Sequence, residues 1–253
     1  MRSIISYLSM TNDAKDWTQA LRKAIADSIQ YKCESIYFPP GKYNFYEEIE
    51  IPNGINLIGD GCVGTNLDQG TVLVDNSSAD NFLVFSGKSA YRGGGGGVHN
   101  LTIAKGFGLK GGNAIALIGT SPQQRAGFVD INRVNVYTGS DTGRFNIGLV
   151  INGNAIQIKG SAGVRDITFN MFISGCVVCA AYILNGVHAY GVLQTAPAGG
   201  NGNVIIGGGS EDIQIYAGRI YGDLIVNESK EVRFLGVASS KLISQYAEKF
   251  VSL

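Results

Sequence analysis

The segment Asn113-Ala-Ile-Ala-Leu-Ile118 returns thirty-three residues later as Asn146-Ile-Gly-Leu-Val-Ile151 and again as Cys179-Ala-Ala-Tyr-Ile-Leu184, and at the same step it is preceded by Asp80-Asn-Phe-Leu-Val-Phe85. A second column keeps the step: Val98-His-Asn-Leu-Thr-Ile103, Ile131-Asn-Arg-Val-Asn-Val136 and Val164-Arg-Asp-Ile-Thr-Phe169. It continues at shorter steps with Ser210-Glu-Asp-Ile-Gln-Ile215 and Ser229-Lys-Glu-Val-Arg-Phe234. A fixed period stacks like residues on like, which restricts the chain to repeat architectures. Helical arrays share this period, but inside each unit the spacing here is two and β-branched residues dominate. The fourth and sixth slots of the second column are apolar, from Leu101 and Ile103 to Val232 and Phe234, while the fifth is polar. One face therefore points inward and one outward in every unit. The pattern predicts an all-β parallel solenoid that climbs about 4.8 Å per coil.

Composition fits that frame. Glycine supplies 36 of 253 residues, about twice the usual share of roughly 7%, and corners are where positive φ is cheap for glycine and asparagine. The 20 basic and 20 acidic residues cancel, which excludes affinity for nucleic acid or an anionic membrane built on bulk charge. No apolar run reaches the roughly 18 residues a membrane helix needs. The N-terminus makes a poor signal peptide, so synthesis in a reducing cytoplasm is expected. Four cysteines in a chain of this size read as free thiols.

The ends break the β pattern. Trp17, Ala20, Leu21, Ala24, Ile25 and Ser28 lie at helical spacing, which predicts an N-terminal capping helix over residues 16–29. Leu242, Ile243, Tyr246 and Phe250 predict a short C-terminal helix or tail, acting as cap or oligomer contact. The expected division is 1–34 for the N-terminal segment and cap, 35–238 for the solenoid and 239–253 for the tail. The solenoid then has about seven or eight coils and a length near 40 Å.

The order Asp16-Trp-Thr-Gln-Ala-Leu21, then Ser35-Ile-Tyr-Phe-Pro-Pro-Gly-Lys-Tyr43, then Ile49-Glu-Ile-Pro-Asn-Gly-Ile-Asn-Leu-Ile-Gly-Asp-Gly61 closely resembles the opening of the pectate-lyase-like right-handed parallel β-helix superfamily. The most specific element is Phe38-Pro-Pro-Gly-Lys-Tyr43. The resemblance implies right-handed coiling. Many members with this opening are bacteriophage tail spikes, fibres and depolymerases, and for that branch it implies a homotrimer. The expected function is thus a virion β-helix protein that contacts host surface polysaccharide or other virion proteins. The alternative is a polysaccharide depolymerase using outward carboxylates.

The chemistry-bearing motifs are sparse. Gly59-Asp-Gly-Cys-Val-Gly64 and Gly106-Phe-Gly-Leu-Lys-Gly111 match a dinucleotide fingerprint, but strands follow both instead of the required helix, so both read as corners. Cys176-Val-Val-Cys179 has no second ligand pair and reads as packed thiols in a strand-entry slot shared with Asn113 and Asn146. No cofactor and no metal are expected. His99 and His188 stand apart, and no nucleophile elbow occurs. Signatures of polygalacturonase-type hydrolases are absent, which points away from an enzyme. The catalytic candidates are Asp166, Asp212 and Glu231, which share the third slot and are expected on successive coils, close enough to act as a carboxylate pair. Tyr91, Tyr137, Tyr190 and Tyr216, with Tyr221, are the candidates for stacking on sugar rings.

Overall fold

A strand that alternates inward and outward residues closes a core only when other strands stack against it in register. In this computed structural model, twenty strands among the described residues do so, and every pairing between them is parallel. The structure describes all residues except 12, 63–66, 68, 88–94, 120–125, 153–163, 217, 246–247 and 253, and for 186–187, 240, 242–245 and 248–252 it describes the backbone alone. The fold is a right-handed parallel β-helix. One ladder stacks Ile49–Glu50, Asn81–Phe85, Asn113–Ile118, Ile147–Asn152, Cys179–Leu184 and Val204–Gly207. A second stacks Ser35–Phe38, Asn56–Gly59, Gly97–Lys105, Asp130–Tyr137, Val164–Ser174, Gly186–Ala196, Glu211–Tyr216 and Lys230–Leu235. The long strands of this ladder bend onto a third face, which begins with Gly41–Phe45 and Thr71–Asp75. The apolar slots line one continuous core, with Leu101, Ile103, Val136, Ile167, Ile213 and Ile215 almost fully buried.

The N-terminal motif is explained by packing. The helix Thr18–Gln30 buries Thr18, Ala20, Leu21, Ala24, Ile25 and Ser28 along one face. Trp17 meets the Tyr43 ring edge-on at 5.0 Å, and Phe38 meets it at 5.2 Å. The Tyr43 hydroxyl donates to the Pro39 carbonyl at 2.9 Å, which ties the Pro-Pro-Gly turn to the aromatic cluster. Ahead of the helix, the sequence pattern gives no sign of the 3₁₀ helix Ile4–Met10 or of Arg2 and Ser3 pairing with Ile36 and Tyr37.

Three expectations are corrected. First, the step is uneven. Asn81 faces Asn113, Ile115 faces Leu149 and Leu149 faces Ala181, giving steps of 32, 34 and 32. Cys179 therefore pairs with Ile147, and Asn146 does not take the rung of Asn113. In the second ladder Ile131 sits on Val98 as expected, but it faces Phe169 on its other side, and the register slips at Arg133. A bulge adds one residue without breaking the ladder, which a fixed period does not anticipate.

Second, a coil was missed. The strand Gly186–Ala196 lies between the Val164 and Glu211 strands. Its inward slots hold Ala189 and Gly191 in place of the aliphatic pair found elsewhere. Gly191 is small for a steric reason: a Cβ there would lie 1.9 Å from the Phe169 carbonyl oxygen and 2.6 Å from its ring. Gly191→Val is expected to destabilise the fold by about 1–3 kcal/mol, seen as a lower urea midpoint at unchanged slope.

Third, the C-terminal residues are not helical. Ala238–Gln245 and Glu248–Ser252 are strands that pair with Arg219–Asn227 and Lys230–Leu235. The open edge of the preceding coil offers a row of unpaired backbone groups, and satisfying them outweighs a weak helical spacing.

Candidate functional site

The third slot is a bend, not a flat outward position. Phe128, Asp166, His188, Asp212 and Glu231 all have φ between 52° and 55°. Pairings on either side put them on consecutive rungs: Gly127 with Arg165, Arg165 with Val187, Val187 with Glu211 and Glu211 with Lys230. A left-handed residue other than glycine costs about 1–2 kcal/mol, and aspartate and histidine tolerate it better than most. Asn100 and Arg133 form a separate bend of the same kind, since His99 faces Asn132 and Leu101 faces Val134.

This stacking rearranges the acidic candidates. Asp166 and Asp212 are not on successive coils, because His188 occupies the rung between them. They are two rungs apart, about 10 Å along the axis. Asp212 and Glu231 are successive. Asp166 is held by its neighbour, with Arg165 Nε donating at 2.8 Å.

Asp212 is the centre of a polar constellation. The Tyr190 hydroxyl donates to Asp212 Oδ2 at 2.7 Å, and His188 Nδ1 lies 3.0 Å from the same oxygen. His188 Nδ1 also lies 3.0 Å from the Tyr190 hydroxyl. Gln214 Nε2 donates to Asp212 Oδ1 at 2.8 Å, and the Tyr216 hydroxyl in turn donates to Gln214 Oε1. Partial burial pushes the Asp212 carboxyl up, but the hydrogen bonds from Gln214, Tyr190 and His188 outweigh it and hold the group below the ordinary carboxylate range. Burial, then the hydrogen bond to Asp212, push the Tyr190 phenol up to about 12. Because Nδ1 faces a carboxylate, the proton of a neutral His188 belongs on Nδ1 and the lone pair on Nε2. The His188 side chain is 42% exposed.

A folded pKa held below the unfolded value near 3.9 means that the Asp212 contacts stabilise above that pH and lose their contribution as pH falls through the folded value. The gap in melting temperature between the wild type and Asp212→Asn is expected to close below about pH 4. At the alkaline end, the phenol absent from a Tyr190→Phe titration is expected to be a late-ionising one in the wild type, and an earlier one once Asp212→Asn removes the bond.

A second polar group lies further along the same face. His99 Nε2 is 3.0 Å from Asn56 Oδ1, and Thr168 Oγ1 donates to Asp130 Oδ1 at 2.5 Å. Burial lowers the His99 pKa, with Asp130 opposing, so the ring is neutral at neutral pH. Asp130, Thr168, Tyr190 and Gln214 run along one column of rungs. Beside it opens a cleft of about 330 Å³ whose lining includes Cys62, Arg133, Asn135, Asn170, Phe172 and Gln194.

The other expectations fare differently. Tyr190 and Tyr216 belong to the constellation. Tyr137 is half-buried against Leu67, Val72 and Ala104, a packing role. Tyr221 is exposed at a corner, with the Arg219 guanidinium 4.3 Å from its ring centre. Tyr91 lies outside the described residues. Cys176 and Cys179 are buried, and burial pushes both thiols up to about 12, so they pack as neutral groups. Among the described residues, no three His, Cys, Asp or Glu side chains gather as metal ligands, and no helix is long and apolar enough to cross a membrane. Residues 106–111 form a corner between Gly97–Lys105 and Asn113–Ile118. The residue that sequence reasoning set aside is His188. Its signal was the polar third slot and aromatic fifth slot of Val187-His-Ala-Tyr-Gly191, hidden because the inward pair is Ala and Gly.

The family described as rhamnogalacturonase A/epimerase, pectate lyase-like, matches residues 1–170. The chain belongs to this family. No curated protein matches the sequence. Among solved structures, the chain is similar to PfbA, a surface adhesin of Streptococcus pneumoniae, at 10% identity over 98% of this chain and 91% of that one, with a TM-score of 0.49. It is also similar to the Azotobacter vinelandii mannuronan C-5 epimerase AlgE6 A-module, at 16% identity over 99% and 79% of the two chains, with a TM-score of 0.46. The family's matched region ends at residue 170, so His188, Tyr190 and Asp212 all lie beyond it.

Proposed function

We propose that this β-helix binds a surface polysaccharide along the face carrying Asp130, Thr168, Tyr190 and Gln214, and cleaves it by β-elimination at His188. The observation that carries the reading is the convergence of His188 Nδ1 and the Tyr190 hydroxyl on one ionised carboxylate oxygen. Asp212 then acts as a positioning residue that orients the imidazole and fixes the tautomer that leaves Nε2 free to accept a proton. His188 Nε2 takes a proton from a sugar carbon next to a carboxylate. The electron pair of that C–H bond forms a C=C bond, the C–O bond to the next sugar breaks, and Tyr190 gives its phenolic proton to the departing oxygen. Hydrolysis fits less well. It needs one protonated carboxyl acting as acid, whereas Asp212 is held ionised and Asp166 is paired with Arg165.

The setting suggested by the opening motif, a homotrimeric bacteriophage spike or depolymerase acting on host glycan, is part of this proposal. Incubation with capsular polysaccharide followed by size-exclusion chromatography tests the activity. The polymer is expected to shorten with the wild type and with Asp166→Asn, and to keep its length with His188→Asn. A polymer unchanged by the wild type would remove the enzymatic reading. Sedimentation of the purified chain as a monomer would remove the trimer.

A further inference from the structure

We infer that Tyr216 is a positioning residue for the proton transfer: its hydroxyl locks the Gln214 side-chain amide in the orientation that presents N–H, and not C=O, to Asp212. This rests on the reading of His188 as the base, which Asp212 orients. Asp212, Gln214 and Tyr216 alternate with the buried Ile213 and Ile215 along the strand Glu211–Tyr216, so the three stand side by side on its outer face. Gln214 Nε2 donates to Asp212 Oδ1 at 2.8 Å, and the Tyr216 hydroxyl donates to Gln214 Oε1. The oxygen and nitrogen ends of an amide have nearly the same shape, so its partners decide which way it faces. Here the carboxylate accepts and the phenol donates, and one orientation of the amide satisfies both. Gln214 Oε1 is the acceptor that the phenol meets among the described residues.

Both oxygens of Asp212 are then engaged, Oδ2 by Tyr190 and His188 and Oδ1 by Gln214. Removing the Tyr216 hydroxyl leaves Gln214 Oε1 without its donor and frees the amide to turn. A turned amide sets Oε1 against Asp212 Oδ1, which repels an ionised carboxylate and suits a protonated one. The charge on Asp212 is then less favoured, and its hold on the imidazole loosens with it. The other titratable and charged groups around Asp212 are Glu211 on its own strand, His188 and Tyr190 on the preceding rung, Asp166 one rung beyond, and Lys230, Glu231 and Arg233 on the following rung. Tyr216→Phe alters none of them, so a change in the titration of Asp212 reports the amide. The same geometry separates this role from stacking on a sugar ring, which phenylalanine would preserve.

The test reads Asp212 directly, without polymer. The chain is isotope-labelled at the aspartate carboxyl carbons and titrated by NMR, with the Asp212 signal assigned by its loss in Asp212→Asn. Tyr216→Phe is expected to move the Asp212 midpoint to higher pH, because fewer contacts then favour the charged form. Gln214→Leu is expected to move it in the same direction, and adding Tyr216→Phe to Gln214→Leu to move it no further. On a polymer that the wild type cleaves, Tyr216→Phe is expected to lower kcat about three- to tenfold at unchanged KM. An Asp212 midpoint unmoved by Tyr216→Phe, or moved equally with and without Gln214, would overturn the proposal. So would a higher KM with kcat intact, the mark of a side chain that touches the sugar. A wild type that cleaves nothing would remove His188 as the base, while the titration still decides the amide lock.

Discussion

Replacing Lys105 by methionine is expected to lower the unfolding free energy by about 3–5 kcal/mol. Lys105 Nζ lies 2.6 Å from Asp75 Oδ2 and donates to the Ser77 carbonyl at 2.9 Å, with both ionic side chains 1% exposed or less. The remaining oxygen, Asp75 Oδ1, accepts from the Ser77 N–H at 2.8 Å. The two residues face each other across adjacent rungs where the second face turns its corner, and the Phe145 ring lies 5.4 Å from the ammonium group. Methionine keeps the stem and removes the charge, leaving an unpaired carboxylate in the interior. The loss is therefore a measure of that stranded charge and not of the pair's net worth. The double variant Lys105→Met with Asp75→Asn is expected to recover much of the loss. Urea titration of the four proteins reads this as a coupling energy. Additive losses would mean that the two groups do not act as a pair.

His188→Asn is expected to reduce turnover by 10²- to 10⁴-fold, the usual contribution of a positioned general base. Asparagine is the substitution of choice because it accepts the left-handed backbone that His188 adopts. KM is expected to change little, since the neighbouring rungs and the cleft still hold the polymer. Asp212→Asn is expected to lower turnover by at least about 10²-fold through the imidazole, because it loses the carboxylate that fixes the ring's orientation and tautomer. Asp166→Asn is expected to stay within a few-fold of wild type. A variant of Asp166 as damaged as one of Asp212 would return the carboxylate pair to consideration and displace His188 from the role of base.

The fold was legible because a β-helix repeats its physics every coil. Alternation at Leu101, Thr102 and Ile103 gives the inward and outward faces, and the Phe38 to Tyr43 element marks the capped end. Register was less legible. The bulge at Arg133 and the steps of 32 and 34 depend on turn geometry, which leaves no mark on hydrophobic alternation. The site was half legible: Asp212, Tyr190 and Tyr216 were singled out, but as members of two unrelated groups. Their common partner His188 sat on a coil whose inward residues are Ala189 and Gly191, too small to register as a repeat. The Lys105–Asp75 pair had no signature at all, since a charged residue closing a strand reads as a solvated one.

Proton removal from a sugar carbon by His188 would leave a C=C bond in the product. The most direct test follows the ultraviolet absorbance of the unsaturated product while a uronate-containing capsular polysaccharide is incubated with the wild type or with His188→Asn. A steady rise is expected with the wild type and one at least 10²-fold slower with the variant. Equal rises in the two, or chain cleavage by the wild type without any unsaturated product, would exclude β-elimination at His188.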